Sequence, residues 1–300
     1  RDRLARVLAA LNAQDFGQPY EVIVVSDGST DSTAEFLASA ACGDRLLAIE
    51  QVNAGPAVAR NRGVELARAD LVLFVDDDVV PAADLLAAHI AAHERIGASA
   101  VVVGPMLDPP DHELSPWVRW EQRMLYKQYR ALEAGEFEAT FRQFYTGNAS
   151  VLRTVLVEAG GFDTSLRRAE DVELGIRLFE RGVRFAYEPR AKGDHYAMRS
   201  FASWRDIART YGCVEIEFGQ PVCRRWQLEF MADKYTGAPA AVRALVAMAL
   251  RAPRLADIAA ALAGKIAPAL DRTPARKAAQ AILSLIYATD YWRGAAEGAT

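Results

Sequence analysis

The 300 residues carry 35 Lys/Arg against 39 Asp/Glu, a net charge of −4, and are 51% hydrophobic and 25% charged. This is the composition of a globule large enough to bury a full core. It gives no support to a polycationic nucleic-acid binder or, with Cys42, Cys213 and Cys223 far apart, to a disulfide framework. A reducing cytosol fits those cysteines. Residues 234–300 hold nine Lys/Arg and four Asp/Glu, a surplus of five that leaves residues 1–233 at −9. The apolar run "ALVAMAL" (244–250), bracketed by Arg243 and Arg251, falls far short of the ~20 residues a membrane-spanning helix needs.

In chain order, "RDRLARVLAALNAQ" opens directly in an amphipathic helix rather than with Met, which predicts a trimmed start. "YEVIVVSDG" (20–28) reads as a buried strand. "STDSTAEFLASA" follows as a helix, with apolar spacing at Phe36, Leu37, Ala40 and Ala41. "RLLAIEQ" predicts a second strand and "GPAVARNRGVELA" a second helix in this strand-helix alternation. "DLVLFVD" and "PAADLLAAHIAAHERIG" continue it, and "ASAVVVGPM" is a fourth strand. Alternating strands and helices predict a mainly parallel α/β sheet. In such sheets ligands bind outside the carboxyl ends of the strands, where Asp27 and Asp76–Asp78 fall. Beyond residue 105 come a long aromatic helix (115–136), an extended stretch "TFRQFYTGNASVLR", a helix "AEDVELGIRLFERG" and a strand "VRFAYEP". Helices follow over 200–218 and 239–292. The seam "FMADKYTGAP" divides the chain into 1–232, a catalytic domain, and 233–300, a helical extension.

"LVLFVDDDVVP" (71–81) ends an apolar run on three like charges, whose desolvation would cost several kcal/mol on the order-of-magnitude scale for buried ions. Three readings compete: a solvated loop, an Asp76-x-Asp78 pair holding a divalent cation against phosphate, or Asp76 as a phosphoryl-accepting nucleophile. Other residues also have two readings. Asn53 caps a helix or lines a ligand pocket with Gly55. Arg60 is a surface arginine or an anion ligand. Glu170 and Asp171, at the start of a helix, read on their own as compensating its dipole. His89 and His93, at i and i+4 without an intervening Glu, read as a solvated helix face rather than a zinc site.

Taken together, "VIVVSDGSTDST", "NAGPAVARNRGVELARADLVLFVDDD", "TGNASVLR", "GGFDTSLRRAEDVELGIRL" and the later His195 resemble a glycosyltransferase of family 2 with the GT-A fold, over about residues 1–215. The resemblance implies an inverting transferase that uses a nucleotide-diphosphate sugar and a divalent cation, Mn2+ or Mg2+. It implies Asp171 as catalytic base with Glu170 beside it. Asp78, Asp76 and His195 would be at the metal, with Asp76 also touching the donor's ribose or sugar and Asp77 solvated. Asp27, Asn53, Gly55 and Arg60 would line the nucleotide pocket, and Gly147 and Asn148 would flank the sugar. Ser26 stands where the family often has Asp. The helix dipole would keep Asp171 ionised. The family's opening central strand has no counterpart in these residues. The resemblance further implies a glycan or lipid-linked acceptor and no nucleic acid. "CRRWQ" (223–227) lacks the Gln-x-x-Arg-Trp pattern of processive synthases, since Val222 precedes Arg225 by three. Two alternatives stand: a haloacid-dehalogenase-type phosphatase with Asp76 as nucleophile, and a non-catalytic sugar-nucleotide-binding relative. The basic C-terminal helices predict either a plain helical cap or peripheral contact with an anionic inner membrane face.

Overall fold

The computed structural model of the chain describes residues 1–39, 45–97 and 99–300; Ala40, Ala41 and Cys42 lie outside them. Two units are resolved: Arg1–His112 with Tyr126–Tyr196, and Glu113–Leu125 with Ala197–Thr300.

In the first unit α1 (Asp2–Asn12) buries Leu4, Val7 and Leu8. The β-branched run β1 (Val22–Asp27) leads through α2 (Thr33–Ser39) to β2 (Leu46–Gln51). β1 and β2 pair in parallel, Asp27 opposite Gln51. α3 (Pro56–Leu66) starts on a proline, whose missing N–H is no loss at a helix start. Gly55 before it takes φ +98°, a region open to glycine. Then come β3 (Leu71–Val75), β4 (Val79–Pro81), α4 (Leu85–Ile96), β5 (Val101–Val103) and β6 (Met106–Leu107). α5 (Pro116–Glu133) gives residues to both units. β7 (Asn148–Leu152), α6 (Arg153–Glu158), α7 (Glu170–Glu180), β8 (Phe185–Tyr187) and β9 (Gly193–His195) complete the first unit.

The expected mainly parallel sheet is mixed. Pairings β1–β2, β5–β8 and β6–β9 are parallel, while β3–β7, β5–β7 and β4–β9 are antiparallel. Two of the antiparallel pairings come from β7, which follows α5 in sequence but enters between β3 and β5 and runs against both; the third joins β4 to the late strand β9. The stretch read as extended over 140–153 begins instead with a 3-10 turn, Phe141–Gln143, closed by a Thr140/Gln143 capping box. Phe74, Val101, Phe144, Val151, Leu156 and Phe162 form the core, with Phe74 and Phe162 edge to face at 5.4 Å. A cavity of about 450 Å³ is lined by β1, β3 and the apolar face of α1. β1 ladders only to β2 and β3 only to β7 among the described residues. The cavity therefore separates the β1–β2 pair from the edge of β3.

In the second unit follow α8 (Phe201–Gly219), α9 (Arg225–Thr236), α10 (Ala240–Arg251), α11 (Pro253–Asp271) and α12 (Arg276–Gly298). The expected seam at 232/233 lies inside this unit. Gly212 and Gly294 let α8 and α12 touch backbone to backbone, since a Cβ on either would stand 1.8 Å from a carbonyl oxygen of the other helix. Trp120, Trp204, Leu283 and Ile286 pack beside that contact.

Candidate active site

Strand register assembles the site. Val75 lies opposite Asn148 in the β3–β7 ladder, so Asp76 follows beside Gly147, whose carbonyl accepts from the Asp76 amide at 3.3 Å. A Cβ on Gly147 would meet Met106 Sδ at 2.8 Å and Asp76 Oδ2 at 3.0 Å, so the approach requires glycine. In the β4–β9 ladder Val79 faces His195, which brings His195 Nε2 to 3.6 Å from Asp78 Oδ1. Both of these side chains are mostly buried. Asp77, between Asp76 and Asp78 in sequence, is exposed, as expected.

The two outer aspartates have different partners. Asp76 accepts from Arg60 Nη2 at 3.2 Å, and the same guanidinium pairs with Glu170 through Nη1. Arg60 is therefore no surface arginine: it ties α3, the end of β3 and the start of α7. Asp78 accepts from Arg3 Nη1 at 3.4 Å. Burial, with Asp76 and Asp77 alongside, pushes the Asp78 carboxyl up against the pull of His195 and Arg3. A cation would reverse that balance.

Asp171, half-buried one residue after the buried Glu170, is pushed up to about 6 by burial and by Glu170, against Arg60 and the Val172 amide it accepts from at 2.8 Å. The carboxyl thus sits well above the ordinary aspartate range yet remains mostly ionised at neutral pH. Ala169 ahead of them is the one non-glycine with positive φ among the described residues, at +59°, a strained conformation.

Asp27 accepts from Gln51 Nε2 and the amides of Ala54 and Gly55, each at 2.8 Å. Burial opposes ionisation, but these donors outweigh it and hold the carboxyl below its ordinary range. Of about four lone-pair sites on a carboxylate, one is left. Asn53 does not cap α3: its amide donates to the Asp27 carbonyl at 3.0 Å.

Asn148 is 2% exposed, and its amide donates to the carbonyls of Ala191 (2.7 Å) and Pro105 (3.2 Å). Its carbonyl accepts from His89 Nε2 at 3.0 Å. The side chain thus fixes the turn that presents Gly147 rather than facing solvent. His89 and His93 are 1% and 7% exposed, which corrects the solvated-face reading. His93 Nε2 donates to Ser150 Oγ, whose hydroxyl donates to His89 Nδ1, both at 2.8 Å. Burial lowers His89 to about 4 and keeps it neutral. Helical spacing could not reveal this, because the partners come from β7.

Sequence reasoning missed two arginines. Arg3 reaches Asp78, and exposed Arg167 reaches Asn53 Oδ1 at 3.4 Å beside Gly55. Arg167 stood in the quoted "SLRRAED" without a role; nothing in α1 singled out Arg3.

Could these residues hold a divalent cation? Among the described residues no cluster of three ligand-type side chains forms. Asp78 and His195 converge as a pair, with Asp76 on the neighbouring strand end. Such a donor set fits a hard cation that takes the rest of its shell from phosphate oxygens and water.

Residues 1–158, more than half of the chain, match the profile described as glycosyl transferase family 2. The chain belongs to that family. The Bacillus subtilis (strain 168) uncharacterized glycosyltransferase YfnE is 29% identical over 232 residues, 62% of this chain and 59% of that protein. The pre-mycofactocin glycosyltransferase of Mycobacterium tuberculosis (strain CDC 1551 / Oshkosh) is 30% identical over 198 residues, 64% of this chain and 40% of its own. The chain thus spans about half the length of these curated relatives. Mannosyltransferase PcManGT from Pyrobaculum calidifontis, solved with GDP-Man and Mn2+, is similar in fold, with a TM-score of 0.60 at 22% identity over 97% of this chain and 84% of that one. The fold of this family 2 member is thus the α/β GT-A type. Family membership replaces the phosphatase reading of Asp76, whose carboxylate is in any case engaged by Arg60.

Proposed function

We propose that the chain is an inverting, divalent-cation-dependent glycosyltransferase that moves a sugar from a nucleoside-diphosphate donor to a hydroxyl of a glycan or lipid-linked acceptor. Cell-surface glycan or glycolipid synthesis is the corresponding setting, in the cytoplasm or at the inner face of the membrane. One observation carries the reading: Arg60 joins Asp76 and Glu170, so the carboxyl end of β3 and the acidic start of α7 open on one site. The two glycosyltransferase relatives and the GDP-Man and Mn2+ of the structural neighbour support it.

In this reading Asp171 takes the acceptor proton as the acceptor oxygen attacks the anomeric carbon. The bond from that carbon to the diphosphate breaks with inversion, and Glu170 orients the acceptor. Asp78, His195 and Asp76 would hold the cation, which when bound stabilises negative charge on the leaving diphosphate. Asp27, Asn53 and Gly55 line the nucleotide pocket. Arg60 and Asp76 contact the donor, and Gly147, held by Asn148, flanks the sugar. The test separates ligand from base. Asp78→Ala should weaken the Mn2+ dependence of nucleoside-diphosphate binding in calorimetry, while Asp171→Asn should bind as the parent does. An unchanged metal effect in Asp78→Ala would move the cation elsewhere. A parent that binds donor but never turns it over would leave the non-catalytic alternative.

A further inference from the structure

The outward face of α10 and α11 is apolar and cationic at once. Leu255, Ile258, Leu262 and Ile266 recur at helical steps of three and four along α11 and are 67, 58, 56 and 53% exposed. They make a stripe about 17 Å long at the usual helical rise. Leu245, Met248 and Leu250 of α10 are exposed as well. The inward side of α11 is taken by Ala260, Gly264 and Ala267. A soluble helix normally presents the reverse of this stripe.

Charge decides what covers it. The two carboxylates of residues 240–271, Asp257 and Asp271, are tied up by arginines of the same unit: Asp257 by Arg205 and Arg293, both at 2.7 Å, and Asp271 by Arg119. Arg251, Arg254 and Lys265 are exposed, and no ion pair engages them among the described residues. The face therefore carries uncompensated positive charge around exposed aliphatic side chains. Two copies placed face to face would oppose like charges. No helix among the described residues is long and apolar enough to cross a membrane. α12 supplies no such face, because Leu283, Ile286 and Tyr291 are buried.

We propose that α10 and α11 dock this face on an anionic membrane surface, with the aliphatic stripe at the headgroup boundary and the three cations among the lipid charges. Three cations at such a surface raise binding by about 100-fold over a neutral one. This inference stands on a different surface from the proposed catalytic residues and does not depend on them.

The experiment is sedimentation of the full chain with vesicles of phosphatidylcholine alone or mixed with phosphatidylglycerol, at low and high salt. Two variants report separately: Ile258→Asp with Leu262→Asp for the stripe, and Arg254→Glu with Lys265→Glu for the charge. All four sites are exposed, and circular dichroism checks that each variant folds. Binding should require the anionic lipid, fall with salt and be lost at least tenfold in both variants. Nucleoside-diphosphate affinity without vesicles, read in parallel, should stay at the parent value. Equal binding to neutral vesicles, absence of binding, or variants that bind like the parent would overturn the proposal. So would light scattering that shows a dimer abolished by the stripe variant, or an acidic protein partner that the charge variant loses while vesicles bind neither form.

Discussion

Burial beside Glu170 pushes the Asp171 carboxyl up to about 6, and that single shift carries both a rate and a stability consequence. A base must be ionised to accept a proton, so kcat/KM should fall about tenfold per pH unit below 6 and level off above it. A pH–rate profile checks this; a flat profile from pH 5 to 8 would count against Asp171. Asp171→Asn should lower transfer by ~10²–10⁴-fold while donor binding persists. The stability sign is the reverse of the usual carboxylate. A pKa raised in the folded state means the folded chain binds the proton more tightly, so stability is greatest below the ordinary Asp range and is lost as pH rises through 6. At neutral pH the ionised group costs up to about 3 kcal/mol. Asn keeps an acceptor for the Val172 amide, so the variant should unfold at higher urea than the parent at pH 7. His89 runs the other way. Lowered to about 4, it leaves the unfolded chain binding more protons below its ordinary pKa of about 6.5. Stability should therefore drop by about 2 kcal/mol between pH 7 and 5. His89→Gln should flatten that slope.

At the scale of elements, the helices and most strands were legible, because apolar runs such as "VIVV" and "LVLFV" are too short and too branched for helices, although both strands are only partly buried along the cavity. The order of the strands was not. β7 inserts antiparallel between β3 and β5 from a segment that reads only as extended, and that insertion is what sets Gly147 against Asp76. The acidic and glycine motifs announced Asp76, Asp78, Glu170 and Asp171. Their pairing through Arg60 could not be read, because an arginine on a helix looks the same exposed or buried. Gly147→Ala tests the register directly. Its methyl meets Met106 and the Asp76 carboxylate below 3.1 Å, so donor affinity should fall at least tenfold with the chain still folded. At Ala169, where φ is +59°, a β-branched side chain is a steric outlier. Ala169→Val should lose about 2 kcal/mol of unfolding free energy, measured by urea titration, whereas Ala169→Gly should stay near the parent.

Across the whole chain, the division of charge visible in the sequence has a structural counterpart. The acidic surplus belongs to residues that include the aspartate- and glutamate-bearing site, and the basic surplus belongs to residues 234–300, which carry α10, α11 and α12. The close contact of α8 with α12 was not legible, since glycines that permit it look like any others until their partner helix is known. The cavity between β1 and β3 was not legible in the sequence. The central claim is that the chain turns over a nucleotide sugar. It is tested most directly by incubating the chain with a panel of UDP-, GDP- and other nucleotide sugars and reading released nucleoside diphosphate, with Mn2+ and with a chelator. The account predicts release from at least one donor that requires the cation and disappears in Asp171→Asn. Release that persists unchanged with chelator and in that variant, or a phosphorylated Asp76, would contradict it.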